Sequence, residues 1–151
     1  MIDERATGTA ATEGDDGLEP PEGFVRMRPS GPFTEHNGPY YGLQGAETTV
    51  HGLWVLPRHA NRLGVVHGGM MATFLDTLLG QAVLAAAGKP IVTIHLSIDY
   101  LSMARVGEWL EGRATITRAT RDVVFAEARA QVGGRDVARS SGVFKVMNGR
   151  P

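Results

Sequence analysis

The sequence predicts an α+β fold in which an antiparallel sheet wraps one long central helix. Three observations carry that prediction. Between Arg62 and Lys89 the only formally charged side chain is Asp76, in a stretch rich in Leu, Ala and Met. Residues 92–100 then alternate apolar and polar without interruption, the period of a strand with two different faces. After Gly107, three further strand-like segments follow with short connections between them, which implies an antiparallel meander or a close relative.

The elements follow in chain order. Residues 1–22 carry seven acids against Arg5 alone and almost no large apolar side chains. Such a segment buries too little surface to offset its ordering entropy, so a disordered acidic tail is expected. Residues 23–42 mix Pro29, Pro32 and Pro39 with Phe24, Phe33, Tyr40 and Tyr41. They read as an irregular or partly helical lead-in whose aromatics dock onto the body, leaving residues 43–151 as the one folded domain. Residues 43–56 have β character and Pro57 closes them. Gly68–Ala87 reads as a helix that ends at Gly88, with Pro90 just beyond. In the strand 92–100, Val92, Ile94, Leu96, Ile98 and Tyr100 fall on one face. Thr93, His95, Ser97 and Asp99 fall on the other. Residues 108–118, 122–132 and 136–147 are the remaining strands, with Gly133–Gly134 as a turn signal. The apolar face of the sheet is expected to cover the helix.

Composition narrows the function. The 151 residues contain no cysteine, which excludes disulfides and thiolate metal sites. No basic patch followed by an apolar run marks a secretory leader, so a cytoplasmic protein is the expectation. The net charge of -1 hides a split, because beyond residue 22 nine acids face fourteen Lys and Arg. A mildly basic body suits an anionic ligand, and equally an ordinary solvated surface. Basic residues are dispersed rather than interleaved with aromatics, so nucleic-acid binding is not expected. A helix of this length also raises a membrane span. Asp76 and Gln81 at mid-segment oppose it, since a mid-bilayer Asp costs about 2.5–3.5 kcal/mol. Phosphate-loop, dinucleotide and serine-elbow motifs are absent from the sequence. The spacing of His51, His59 and His95 matches no metal-ligand pattern, and no metal or other cofactor is expected.

The chemistry centres on the helix. On helical spacing Thr73, Asp76, Thr77 and Gly80 form one narrow polar stripe on an apolar cylinder. A lone carboxylate there is costly unless it is bonded or used. A hydrogen bond to backbone or to a threonine would satisfy it, and general-base work on water would use it. At the helix start, Gly68 and Gly69 let a ligand approach backbone N–H groups that lack intrahelical partners. Those groups and the helix dipole can stabilise a developing oxyanion. An ordinary loop-to-helix turn capped near His67 explains the same residues. Gly68 and Asp76 stand eight residues apart, roughly 12 Å along a helix, so within one chain they cannot hold the same reacting group. If both act on one substrate, the site lies between subunits of a two-fold dimer.

Asn61-Arg-Leu-Gly-Val-Val-His67-Gly68-Gly69, with Asp76 nine residues after the histidine, resembles the hotdog thioesterases of the phenylacetate-pathway type. These belong with the wider 4-hydroxybenzoyl-CoA thioesterase superfamily. Residues 93–107 resemble that family's strand after the helix, departing at Met103, where a proline is common. The resemblance spans residues 50–147. It implies a hotdog fold, a homodimer with shared active sites that is often doubled to a tetramer, and hydrolysis of acyl-CoA. It implies that Asp76 acts as general base or as nucleophile and that the Gly68 N–H polarises the thioester carbonyl. By the same likeness Asn61 and His67 position the carbonyl, the water or the loop, and Thr93 assists water near the carboxylate. Gly69 and Thr77 are candidate substrate contacts, as is Gln81, although core packing explains Thr77 and Gln81 equally well. Arg121, with Arg118 and Arg105, is a candidate for the CoA phosphates, because guanidinium suits phosphate geometry. Two alternatives share the fold. One is an acyl-thioester dehydratase, which pairs a catalytic histidine with an acid, and the other is a non-catalytic acyl-CoA-binding module.

Overall fold

A computed structural model describes residues 17–147. In chain order the elements are β1 (Phe24–Arg26), α1 (Pro32–Asn37), β2 (Tyr41–Leu43), β3 (Thr49–Trp54), α2 (Gly68–Ala87), β4 (Ile91–Tyr100), β5 (Trp109–Ala119), β6 (Val123–Val132) and β7 (Arg135–Val146). The seven strands form one sheet in the order β1-β2-β3-β5-β6-β7-β4. Every neighbouring pair is antiparallel.

The expected run of four hairpin-joined strands holds only for β5, β6 and β7. β4 pairs with β7 at the far edge, and β5 pairs with β3 instead. The reason lies in the connections. Three residues join β5 to β6 and two join β6 to β7, whereas eight separate β4 from β5. Eight residues are enough to cross back over the end of the sheet, so β3 and β4 are left at opposite sides of α2.

The helix begins where its backbone can be capped and stops where it cannot continue. His67 supplies the N-cap, and Gly88 ends the helix with φ at 62°, a left-handed conformation glycine adopts without penalty. Met70, Met71, Phe74, Leu75, Leu78, Leu79, Ala82 and Val83 are buried, the i, i+4, i+8 pattern of one apolar face. Opposite them the sheet presents small residues: Ala114, Ala126, Ala128, Ala130 and Ala138 are all buried. Gly112 takes this furthest, since a Cβ there would sit 2.6 Å from Leu78 and 2.7 Å from Phe74. Bulk comes from the helix and clearance from the sheet.

In β4 the expected alternation fails. The register passes from Thr93↔Phe144 directly to His95↔Val143, so Ile94 is an extra residue. Thr93, which period-two reading puts on the polar outer face, therefore shares the helix side with Leu96, Ile98 and Tyr100. Val92 and Ile94 are instead exposed, at 53% and 59%. Nothing in the sequence marks the bulge.

The lead-in carries more regular structure than expected. β1 and β2 extend the sheet beyond β3, and α1 lies between them. Phe24, Tyr41 and Trp54 gather around Trp109 at centroid distances of 5.0, 5.6 and 5.3 Å. Gly52 makes room for that indole ring. Tyr40 points the other way, into the core, with its ring stacked 6.4 Å from Phe74. Phe33 does not dock and stays exposed. Of the expected disordered tail, residues 1–16 lie outside the described residues, as do residues 148–151 at the other terminus. The tail's last part is tied down, because Trp54 Nε1–H donates to the Glu19 carbonyl.

Candidate active site

Two polar features interrupt the apolar helix, and the loop before it builds the first. Asn61 shapes that loop: its Oδ1 accepts from Leu63 N–H at 2.9 Å and its carbonyl from Gly64 N–H at 3.0 Å. This is an Asx turn followed by Gly64 in a left-handed conformation, φ 72°. The loop is then pinned on both sides. Val66 N–H donates to the Ala104 carbonyl at 2.8 Å and His67 N–H to the His59 carbonyl at 2.9 Å. His59 is itself buried, with Nδ1 accepting from Leu56 N–H. Burial, with the charge of Arg58, pushes the His59 imidazole down to about 4, and nearby carbonyls of Asn37, Gly38 and Trp54 offset this only in part.

His67 caps the helix through its side chain. Nδ1 accepts from Gly69 N–H at 2.9 Å, so in the neutral ring the proton sits on Nε2. Met71 N–H takes the His67 carbonyl at 3.0 Å. With Gly69 occupied, Gly68 N–H at the first helical position has no protein partner among the described residues. Its residue is only half-buried, so an acceptor can reach it. The Gly68 carbonyl accepts from the Tyr100 hydroxyl at 2.9 Å.

The second feature lies two turns on. Asp76 is half-buried rather than enclosed, and its Oδ1 accepts from Thr93 Oγ1 at 2.9 Å. The bulge at Ile94 is what turns Thr93 toward the helix. Oδ2 has no hydrogen-bond partner among the described residues. Thr73, on the same stripe, bonds back to the Gly69 carbonyl at 2.9 Å. Thr77 faces Tyr40, whose phenol is pushed up to about 12 by burial, the Thr77 hydroxyl opposing the shift. Thr77 is near enough to act on the Tyr40 hydroxyl, but among the described residues no hydrogen bond of good geometry forms there.

The structure thus joins Asn61, His67, Gly68 and Gly69 into one cluster and Asp76 with Thr93 into another. Because α2 is unbroken from Gly68 to Ala87, about 12 Å of helix separates the two. Arg121 joins neither. It sits exposed in the β5–β6 turn, between two and three strand spacings from Thr93, or about 10–14 Å. Arg105 stands nearer, bridged to Val65 beside the loop. Sequence reasoning missed Tyr100 as a partner of the helix start and His59 as the anchor beneath it. For Tyr100 the alternation places the side chain on the correct, helix-facing side; which backbone group its hydroxyl meets depends on long-range packing and is not legible.

A long helix seated in the hollow of one curled antiparallel sheet, with β3 and β4 at opposite flanks, is the hotdog architecture. Residues 63–138 match the thioesterase superfamily, and the chain belongs to it. A Pseudomonas aeruginosa protein provisionally named an esterase is 37% identical over 127 residues, covering 82% of this chain and 95% of that one. The mouse acyl-coenzyme A thioesterase 13 is 34% identical over 70 residues, 46% of this chain and 50% of its own. Among solved structures, a Bacillus halodurans protein crystallised with CoA superposes with a TM-score of 0.61 at 32% identity, covering 65% of this chain and 66% of that one.

Proposed function

We propose that this chain hydrolyses acyl-CoA thioesters to the free acid and CoA, with Asp76 as the reacting carboxylate and the Gly68 N–H polarising the thioester carbonyl. One observation carries the reading. Among the described residues, a carboxylate with one oxygen bonded to Thr93 and the other without a partner is set on the same helix as an N–H without a partner at the positive end of its dipole. In the general-base form, water attacks the carbonyl carbon while its proton passes to Asp76. The oxyanion is held by Gly68 N–H, the C–S bond breaks, and the CoA thiolate leaves and takes up the proton. In the nucleophilic form the Asp76 carboxylate attacks first, expelling the thiolate, and water then opens the mixed anhydride.

The 12 Å between the two clusters makes each site the joint property of two chains. The molecule offers a surface for that pairing. β4 is the edge of the sheet, ten residues long, with Val92 and Ile94 exposed, and Leu84 on α2 is exposed as well. A long apolar edge strand of this kind is a template for a second strand. Two copies joined antiparallel along β4 bring Gly68 of one helix toward Asp76 of the other. In this reading Asn61 and His67 shape the oxyanion side, Gly69 and Thr77 flank the acyl group, and Thr93 orients the carboxylate or the water. Arg121, exposed in the β5–β6 turn, is a candidate for the CoA phosphates, which lie far from the thioester along the extended ligand.

Free-thiol release from short, medium, long and aromatic acyl-CoAs tests the proposal, comparing wild type with Asp76→Asn. Turnover is expected in the wild type, with a loss of at least about a hundredfold in the folded variant. A wild type that releases no thiol from any acyl-CoA removes the reading and leaves dehydration or binding. A single turnover in ¹⁸O-water that leaves label in Asp76 identifies the nucleophilic form, with water opening the anhydride at the Asp76 carbonyl.

A further inference from the structure

We propose that Tyr100 is a positioning residue for the oxyanion-binding N–H of Gly68, and that the bulge at Ile94 exists in β4 to let one strand hold both clusters of the site. The proposal rests on the hydrolase reading above for its catalytic consequence, but not for its structural content.

Thr93 and Tyr100 stand seven residues apart. In an uninterrupted strand an odd separation puts two side chains on opposite faces. Here Thr93 donates to Asp76 and Tyr100 donates to the Gly68 carbonyl, both on α2 and both at 2.9 Å. The extra residue at Ile94 is the only irregularity in the β4–β7 register, and it supplies the half-period that brings both hydroxyls to the helix. Strand and helix are therefore joined at two points, one at each chemically distinct position of α2.

At the helix start the consequence is specific. Glycine's torsions are soft, so an N–H carried by Gly68 has no direction of its own. Four bonds supply one. The His67 carbonyl is held by Met71 N–H, the Gly69 N–H by His67 Nδ1, and the Gly68 carbonyl by Tyr100 as well as by its helical partner, Ala72 N–H. The peptides on both sides of Gly68 are fixed, and only its own N–H is left to a ligand. Of these bonds, the Tyr100 contact alone comes from outside the helix and its cap. Removing it leaves the Gly68 carbonyl on its helical bond alone, so the first turn, including the His67–Gly68 peptide that carries the donor, is held less firmly. A donor that strays from the oxyanion loses part of its effect in the transition state.

Tyr100→Phe is the test, since it keeps the ring at a half-exposed position and deletes one hydroxyl. With the acyl-CoA that the wild type turns over fastest, kcat is expected to fall about tenfold, with KM within about twofold. That is less than the 10²–10³ that losing a donor itself costs. A variant with wild-type kcat overturns the proposal. So does one that loses only KM, because that pattern marks ground-state binding. Amide exchange gives a reading independent of turnover. Gly69 N–H should exchange faster in Tyr100→Phe while the middle of α2 is unchanged, and unchanged Gly69 exchange overturns the positioning. If the wild type hydrolyses no thioester, the hydrolase reading falls by itself and the exchange measurement still decides what Tyr100 holds.

Discussion

At the scale of single residues, the site is built from short polar groups whose partners define their work. Among the described residues Thr93 gives its hydroxyl to Asp76 alone, so Thr93→Val should leave the fold intact and cut turnover about ten- to hundredfold. Steady-state kinetics beside a thermal melt checks both halves of that statement. Asn61 makes a sharper case. Its amide oxygen closes an Asx turn, a task aspartate performs equally well. Asn61→Asp is therefore expected to keep most of the activity and Asn61→Ala to lose it, with a stability cost of about 1 kcal/mol. The opposite ranking in a thiol-release assay would show that the amide N–H₂ touches substrate. The sequence placed all of these residues correctly in their loop, helix or strand. It could not say that His67 bonds Gly69 through Nδ1, because that depends on a rotamer set by the folded loop.

Among the elements, α2 and the strands under it divide the packing between large and small residues. Gly112 shows how tight the fit is. At an open strand position Ala stabilises relative to Gly by roughly 0.5–1 kcal/mol, because Gly loses more chain entropy on folding. Here the added methyl would meet Phe74 and Leu78 well inside contact distance, and both are fully buried, so neither has room to yield. Overpacking of this kind costs about 1–3 kcal/mol, so Gly112→Ala is expected to destabilise on balance. Urea unfolding measures it, and a rise in midpoint would show that the helix can shift. Hydrophobic periodicity made the helix and the strands legible. The order of the strands was not, because a short connection and a crossing one differ only by a few residues between β4 and β5.

For the whole molecule, two predictions concern properties no single element has. His51 and His59 are buried, and their imidazoles are pushed down to about 4, in both cases first of all by burial. Between roughly pH 6.5 and 4 the unfolded chain takes up these protons and the folded chain does not. Stability is thus complete above about pH 6.5 and declines as pH falls, by roughly 1.4 kcal/mol per pH unit for each histidine. Urea midpoints across that range test the slope, and replacing either histidine with Gln should reduce it. The second prediction concerns shared sites. Mixing subunits that carry Asp76→Asn with subunits that carry Gly68→Pro should regenerate one working site per mixed dimer, because the intact Gly68 and Asp76 then meet across the pair. Two inactive parents that stay inactive after unfolding and refolding together would place each site within one chain.

What the sequence alone determined is the set of local patterns: one apolar helix with a single carboxylate, a glycine pair at its start, and strands of period two around it. Those follow from propensity and spacing, which act over a few residues and are written directly in the chain. The tertiary structure alone decided which face Thr93 presents, what the Tyr100 hydroxyl meets, which edge β4 occupies, and how the lead-in seats Tyr40 against Phe74. Each of these turns on a one-residue offset or a long-range pairing whose energy comes from packing against distant parts of the chain. The bulge at Ile94 joins the two levels. It leaves no trace in the pattern of apolar residues, yet it decides whether the Thr93 hydroxyl meets the Asp76 carboxylate or faces away from it.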